Sequence, residues 1–510
     1  MASPELNQSI RISHLYEDLS ERLNELSNNH TKLSENRQIV EDALHDGKAH
    51  YGINTGFGIL ANKRINDMEL KTLQRNLILS HAVGVGKPIK KEISKLMLQF
   101  KIHALAQGFS GVSEATFERL QLLEKLDLIP VVPEKGSVGA SGDLAPLAHL
   151  CLPLIGLGNV WDSEGKTQIP TQEVLKKHGL EPIELQAKDG LALINGTQFM
   201  SAYGAFVLEK AVQLCKVADV LGAMSLEALQ GSIKPFDARI HAIRPHPGQI
   251  KTAENVRNLL VDSQILESHR DCGKVQDPYC LRCIPQVHGA SKDALNYAIR
   301  VVETEINSVT DNPLVFDDGD IVSGGNFHGQ PLALALDFAA IALAELASIS
   351  ERRTYLLLEG HDGLPKLLMR ETGTNSGFMI PQYTAAALVS ENKVLCHPAS
   401  VDTIPTSLGQ EDHVSMGSVS AVKLLQVLEN VEYVLAIELF SSAQALDFRK
   451  PLKPGKGVEA AHDYIRSKVA HTEVDRFFND DIQQCHELLY HTELVNTVEN
   501  ASQKLYSCAY

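Results

Sequence analysis

Aromatic residues are scarce in this chain: one tryptophan, twelve tyrosines and fifteen phenylalanines stand among 510 residues. With so few large rings, small and branched aliphatic side chains must close the core, and these permit helices to pack closely. Basic charge is scarce too. Lys and Arg number 47 against 63 Asp and Glu, and the net charge of −16 argues against a nucleic-acid or anionic-membrane surface, either of which wants a basic face. Cysteine offers no framework, since Cys151, Cys215, Cys272, Cys280, Cys283, Cys396, Cys485 and Cys508 are scattered, as reduced thiols in a cytosolic protein are. The first residues, MASPELNQSIRISHLYEDLSERL, lack the basic segment and apolar run of a secretory signal, so the expected location is cytoplasmic. The longest apolar run, PLALALDFAAIALAELASI from Pro331 to Ile349, is broken by Asp337 and Glu345 and reads as a buried bundle helix rather than a membrane span. No fixed-period repeat or low-complexity linker marks a clean domain boundary.

What is present is a globular composition, 44% hydrophobic and 22% charged. Ile10, Ile12, Leu15, Leu19, Leu23 and Leu26 recur at helical spacing and predict one buried helix face up to about Leu33. YGINTGFGILANKRI, from Tyr51 to Ile65, is turn chemistry. Leu70 to His81 predicts a helix ended by AVGVGKP, which puts Ser80 and His81 at its C-terminus. Short strands and connections are expected from Pro153 to Leu191, and long Ala- and Leu-rich helices beyond Asn195, notably across 331–349 and 418–447.

The chain is organised around GSVGASGD, Gly136 to Asp143, which gathers three glycines ahead of an apolar helix. One reading is a loop and helix N-cap, in which Asp143 accepts backbone N–H bonds, Leu144 begins the helix and Pro146 sits in its first turn. Phosphate loops are excluded by spacing, because GxxGxxG is neither GxGxxG nor GxxxxGK[ST]. A third reading is chemical and compatible with the first. The Gly142 nitrogen attacks the Ala140 carbonyl with loss of water, and Ser141 loses its hydroxyl, leaving an electrophile built from backbone.

The Ala-Ser-Gly within GSVGASGDLAPLAH closely resembles the signature of the aromatic amino acid ammonia-lyase family, and the resemblance runs from about Tyr51 to Arg449. It implies a 4-methylidene-imidazol-5-one formed autocatalytically from Ala140, Ser141 and Gly142, with no external cofactor and no metal. It also implies a mainly α fold, with a smaller mixed N-terminal part on a long central helical bundle. On that division residues 1–195 carry the prosthetic loop and 196–510 form the long-helix bundle, the whole being one cooperative unit. The implied assembly is a homotetramer whose active sites are shared between subunits.

Ammonia leaves an α-amino acid badly and the β-proton is barely acidic, so the chemistry asks for an electrophile, a base and a carboxylate clamp. The resemblance makes Tyr51, opening YGxNTGFG, the base. Read without it, Tyr51 is a packing residue. Within VQDPYCLRCIPQVHG it makes Arg282 the clamp, gripping the substrate carboxylate with a planar fork, and sets Tyr279 beside the prosthetic group. Asn195, in INGTQ, and Gln276 match polar contacts to ring and substrate, and Phe327, in GGNFHG, an aromatic wall. Zinc is the rival reading for His269, Cys272, Cys280, Cys283 and His288, but one C-x2-C with irregular flanks is a weak signal. Ser80 and His81 occupy the family's selectivity position, where relatives acting on tyrosine or phenylalanine carry His-Leu or Phe-Leu. Glu411, after Gln410 in GQEDHVSM, stands where histidine-specific members have Glu. Alone, His81 also reads as a helix cap and Glu411 as a surface acid.

The expected reaction is conversion of L-histidine to trans-urocanate and ammonia, the first step of histidine degradation. The alternatives are a tyrosine or phenylalanine ammonia-lyase or aminomutase with the same electrophile, or a non-catalytic helical assembly protein. The chain departs from the pattern at Cys280, commonly Ser, and at Gly409, usually Asn.

Overall fold

The computed structural model describes residues 9–26, 30–56, 65–270, 273–490 and 492–509. The fold is 61% helical, with twenty α-helices among the described residues. The mainly α expectation is met for a simple reason: the long Ala- and Leu-rich segments bury most of their residues, although Gln330–Leu358 keeps Leu334, Phe338 and Ile341 exposed along one stripe. Gln198–Ala228 and Gly417–Asp447 each run 31 residues, or roughly 46 Å at about 1.5 Å per residue, and Gln330–Leu358 runs 29. Length and apolarity alone would let Gln330–Leu358 cross a membrane, but 67% of its most apolar stretch is buried within the protein. Its Asp337, 4% exposed, accepts the Ser400 amide at 2.8 Å.

Contacts divide the chain into two compact units that are discontinuous in sequence. The first comprises Met1–Phe206, Ile299–Asp337 and Pro398–Val422; the second comprises Val207–Ala298, Phe338–His397 and Lys423–Tyr510.

The first unit holds all three two-stranded antiparallel sheets found among the described residues. Near the N-terminus the helical pattern divides: Leu15–Leu26 buries Leu15, Leu19 and Leu26, and a second helix, Thr31–His45, follows. Asp67–His81 ends where the sequence predicts, but AVGVGKP does more than stop it. Val85–Pro88 forms a strand against Pro133–Lys135, with Val85 opposite Lys135, and His149 Nε2 accepts the Gly84 amide at 3.0 Å. The strand pairing fastens the end of the His81 helix to the segment that feeds Gly136–Asp143, and the His149 bond fastens it to the helix that follows. The expected short strands are Asn159–Trp161 and Gln168–Pro170, followed by the helix Thr171–Lys177.

The second unit buries a charge network on its helices. Asp219 accepts from His288 Nδ1 at 2.8 Å and pairs with Lys292, while Arg353 grips Glu438 through Nε at 2.5 Å and NH2 at 2.8 Å and donates to His288 Nε2 at 3.2 Å. Burial pushes the His288 pKa down, which suits a ring that donates from one nitrogen and accepts at the other. Neither histidine of the rival zinc reading is vacant, since His269 faces the carbonyls of Ile265 at 2.6 Å and Gly231 at 3.1 Å. Cys272 lies outside the described residues.

Candidate active site

The signature loop is held from both sides. Gly139 and Gly142 adopt φ of +69° and +71°, in the left-handed region that favours glycine. A Cβ at Gly139 would collide with Ser415 Oγ, and one at Gly142 with the Gly196 carbonyl. That carbonyl accepts the Asp143 amide at 2.8 Å, and Ser415 Oγ donates to the Gly139 carbonyl at 3.1 Å. The loop is thus compressed between the turn at Gly196 and the segment at 415–418.

Asp143 corrects the sequence reading in one respect. It stands at the N-cap of Leu144–Cys151, but its carboxylate caps a different helix. Its Oδ2 accepts the Phe199 and Met200 amides, each at 3.0 Å, orphan donors in the first turn of Gln198–Ala228. Its Oδ1 accepts from Ser418 at 3.2 Å and Ser137 at 3.3 Å. Burial pushes the carboxyl pKa up to about 7 even though these four donors favour the ionised form.

Above the loop opens a cavity of about 930 Å³ whose lining includes Tyr51, Ser80, His81, Ala140, Ser141, Asn195, Phe327, Gln410 and Glu411. Residues distant in sequence therefore meet in one unit. Leu73, Asn76, Leu77, Ser80 and His81 follow the i, i+3, i+4 spacing of one helix face, so counting back from His81 finds Leu73, Asn76 and Leu77, which belong to no motif. Ser80 Oγ and His81 Nδ1 lie 3.0 Å apart, and burial pushes the His81 pKa down, opposed by the Leu77 carbonyl and the Glu411 carboxylate. The ring is accordingly neutral at physiological pH.

Glu411 comes from the segment after Pro398. Its Oε1 accepts from Ser141 Oγ at 3.4 Å and its Oε2 from Thr406 Oγ1 at 2.6 Å. Thr406 and Glu411 also pair as an isolated antiparallel bridge. Thr406 carried no sequence signal, because the contact depends on that pairing. At the rim His328 and His413 stack 6.0 Å apart. Asn195 donates Nδ2 to the Asn312 carbonyl at 2.8 Å. Of the loop that begins at Tyr51, residues 57–64 lie outside the described residues.

Tyr279, Arg282 and Gln276 belong to the second unit and do not line this cavity. Tyr279 is 70% exposed, with the Arg282 guanidinium 4.5 Å from its ring centroid. Arg282 Nε is buried without a hydrogen-bond partner among the described residues, which leaves a cation with donor capacity to spare. No cluster of three or more His, Cys, Asp or Glu suited to a metal ion forms among the described residues.

Residues 11–467 match the family described as aromatic amino acid lyase. Histidine ammonia-lyase of Myxococcus xanthus is 51% identical over 474 residues, spanning 92% of this chain and 93% of its own. The crystal structure of histidine ammonia-lyase from Trypanosoma cruzi superposes with a TM-score of 0.85 at 42% identity, over 92% of this chain and 89% of that one. Tyrosine aminomutase from Streptomyces globisporus superposes with a TM-score of 0.88 at 35% identity, over 97% and 98%. Backbone likeness alone therefore does not separate histidine chemistry from tyrosine chemistry, and the side chains of the cavity must.

Proposed function

The chain belongs to the aromatic amino acid lyase family, and on that premise we propose that it is a cytoplasmic histidine ammonia-lyase, eliminating ammonia from L-histidine to give trans-urocanate. The observation that carries the substrate assignment is the pairing of His81 with Glu411 in one cavity, a neutral imidazole and a carboxylate. An imidazole presents one N–H and one bare ring nitrogen, so it can donate to Glu411 and accept from a polar partner. A benzyl or phenol ring would leave at least one of these buried groups unsatisfied.

The residues around Ala140-Ser141-Gly142 fit a methylidene-imidazolone. The glycines have no room for a Cβ, the Asp143 amide is anchored, and a carboxylate with its pKa near neutrality adjoins the loop. When formed, that group supplies an electrophilic carbon that turns the substrate amine into a better leaving group. The remaining tasks fall to side chains. Tyr51 takes the β-proton, Asn195, Gln276 and Gln410 meet polar atoms of the substrate or loop, and Phe327 walls the cavity. Arg282 holds the carboxylate, with Tyr279 beside it. The reading includes a homotetramer in which Arg282, Tyr279 and Gln276 of one chain serve a neighbouring subunit's site, as the family resemblance implies.

Two measurements test the proposal together. Intact-mass spectrometry should find the protein two waters lighter than its encoded sequence, and Ser141→Ala should assemble, keep its full mass and lose at least roughly 10³-fold in turnover. An ultraviolet assay on histidine, tyrosine and phenylalanine in parallel should favour histidine. A wild type of undiminished mass overturns the electrophile, and a preference for tyrosine overturns the substrate.

A further inference from the structure

Behind the cavity, on the helix Lys91–Leu105, lies a cation that none of this chemistry uses. Lys101 is 2% exposed, and its ammonium donates to two backbone carbonyls, Asn195 at 2.5 Å and Ala192 at 3.2 Å. The carboxylate that acts on it most strongly, Asp311, is already paired with Lys188 at 2.7 Å. Burial pushes the Lys101 pKa down to about 8. A buried ammonium whose direct partners are carbonyls is a costly way to cap a six-residue helix, because methylene groups would fill the same space without desolvating a charge.

What the two carbonyls belong to gives the ammonium a use. Both lie at the C-terminal end of Asp189–Ile194, where last-turn carbonyls lack helical partners and a cation is favoured. The next residue, Gly196, carries the carbonyl that accepts the Asp143 amide at 2.8 Å and fills the space where Gly142 would bear a Cβ. Asn195 itself lines the cavity and donates to the Asn312 carbonyl at 2.8 Å. One charged atom thus sits a single peptide away from both the wall that compresses the signature loop and a side chain facing the substrate.

We propose that Lys101 is a positioning residue for the prosthetic loop, its ammonium pinning the Asn195–Gly196 turn against the Gly142–Asp143 peptide and so setting both the cyclisation of Ala140-Ser141-Gly142 and the place of the Asn195 amide. This rests on the electrophile reading above. Without the ammonium two buried carbonyls lose a donor and the turn is free to shift, and a nitrogen closing on a carbonyl is sensitive to displacements of about 1 Å. The groups assigned to the imidazole lie on other segments, so binding should suffer less than turnover.

The test compares wild type with Lys101→Met, Lys101→Gln and Lys101→Arg as full-length proteins, following intact mass with time after expression, kcat and KM on histidine, and melting temperature. We expect wild type to be fully dehydrated. In Lys101→Met less than half of the chains should have lost two waters at the same age, and kcat per dehydrated chain should fall at least about tenfold while KM stays within about threefold. Lys101→Arg, which keeps a cation and donors, should recover most of the dehydrated fraction. Should Lys101→Met fail to fold, Lys101→Gln decides on the same readouts, since its amide keeps donors but is neutral and shorter. A lowered melting temperature with complete dehydration and wild-type kcat would show a mere helix cap and overturn the inference. An undiminished mass in the wild type would overturn the electrophile reading itself.

Discussion

The Ser141 hydroxyl donates to Glu411 Oε1 at 3.4 Å across 270 residues of sequence. Under the proposed chemistry that hydroxyl is lost as water, and the lone pair it occupied becomes available to a substrate N–H. The carboxylate keeps its orientation through the other oxygen, which Thr406 Oγ1 holds at 2.6 Å.

Thr406→Val keeps the shape and removes that donor. With its second anchor gone the carboxylate should rotate away from the ring. We expect kcat/KM on histidine to drop by about 5- to 30-fold, the equivalent of roughly 1–2 kcal/mol, with no comparable loss of residual activity on phenylalanine. Steady-state kinetics on the two substrates decide, and equal losses on both would show a general rather than a ring-specific effect.

Replacing His81 by Leu strands the other end of the imidazole. An unsatisfied buried polar group costs roughly 1–3 kcal/mol, so the preference for histidine over phenylalanine should shrink by about 10- to 100-fold. Glu411 still opposes an apolar ring, so the absolute gain on phenylalanine should be small. A preference ratio unchanged from wild type would remove His81 from substrate recognition.

Asp143 predicts a pH dependence of stability. Its folded pKa, raised to about 7, lies above the ordinary aspartate value near ~3.9, so its contribution is fully present below ~3.9 and is lost as pH rises toward about 7. The loss is on the order of 4 kcal/mol over that window. Asp143→Asn cannot titrate, and relative to wild type its stability should improve by about that amount between pH 4 and pH 7.5. Denaturant unfolding of both proteins across the range measures the difference, and a gap constant with pH would contradict the raised value.

Shared sites predict complementation. Tyr51→Phe and Arg282→Ala should each be nearly inactive as homo-oligomers. Mixed under conditions of subunit exchange they should regain part of the wild-type rate, because some sites in the hybrids would draw an intact Tyr51 and an intact Arg282 from different chains. Demonstrated exchange with no recovered activity would contradict that arrangement.

Much of this protein was legible in one dimension. The helix ending at His81, the start of the helix at Leu144, the short strands between Pro153 and Leu191 and the long apolar helices all follow from patterns that repeat within a few residues. The loop glycines were legible too, since a run of residues without side chains announces close approach, though not what approaches. The division into two units was not legible, because four of its five boundaries fall inside Gln198–Ala228, Ile284–Ile306, Gln330–Leu358 and Gly417–Asp447, where composition does not change.

What the sequence by itself determined was local: which segments coil, where they stop, and which residue types were on hand for an elimination. Only the tertiary structure decided the pairings. Asp143 caps the helix Gln198–Ala228 and not the helix Leu144–Cys151 that it precedes, Thr406 and Ser141 divide the oxygens of Glu411, and Lys101 reaches the carbonyls beside Gly196. Helix propensity and capping act between residues about four apart and leave a periodic trace, whereas a hydrogen bond closed by packing between distant segments depends on everything that lies between them and leaves none.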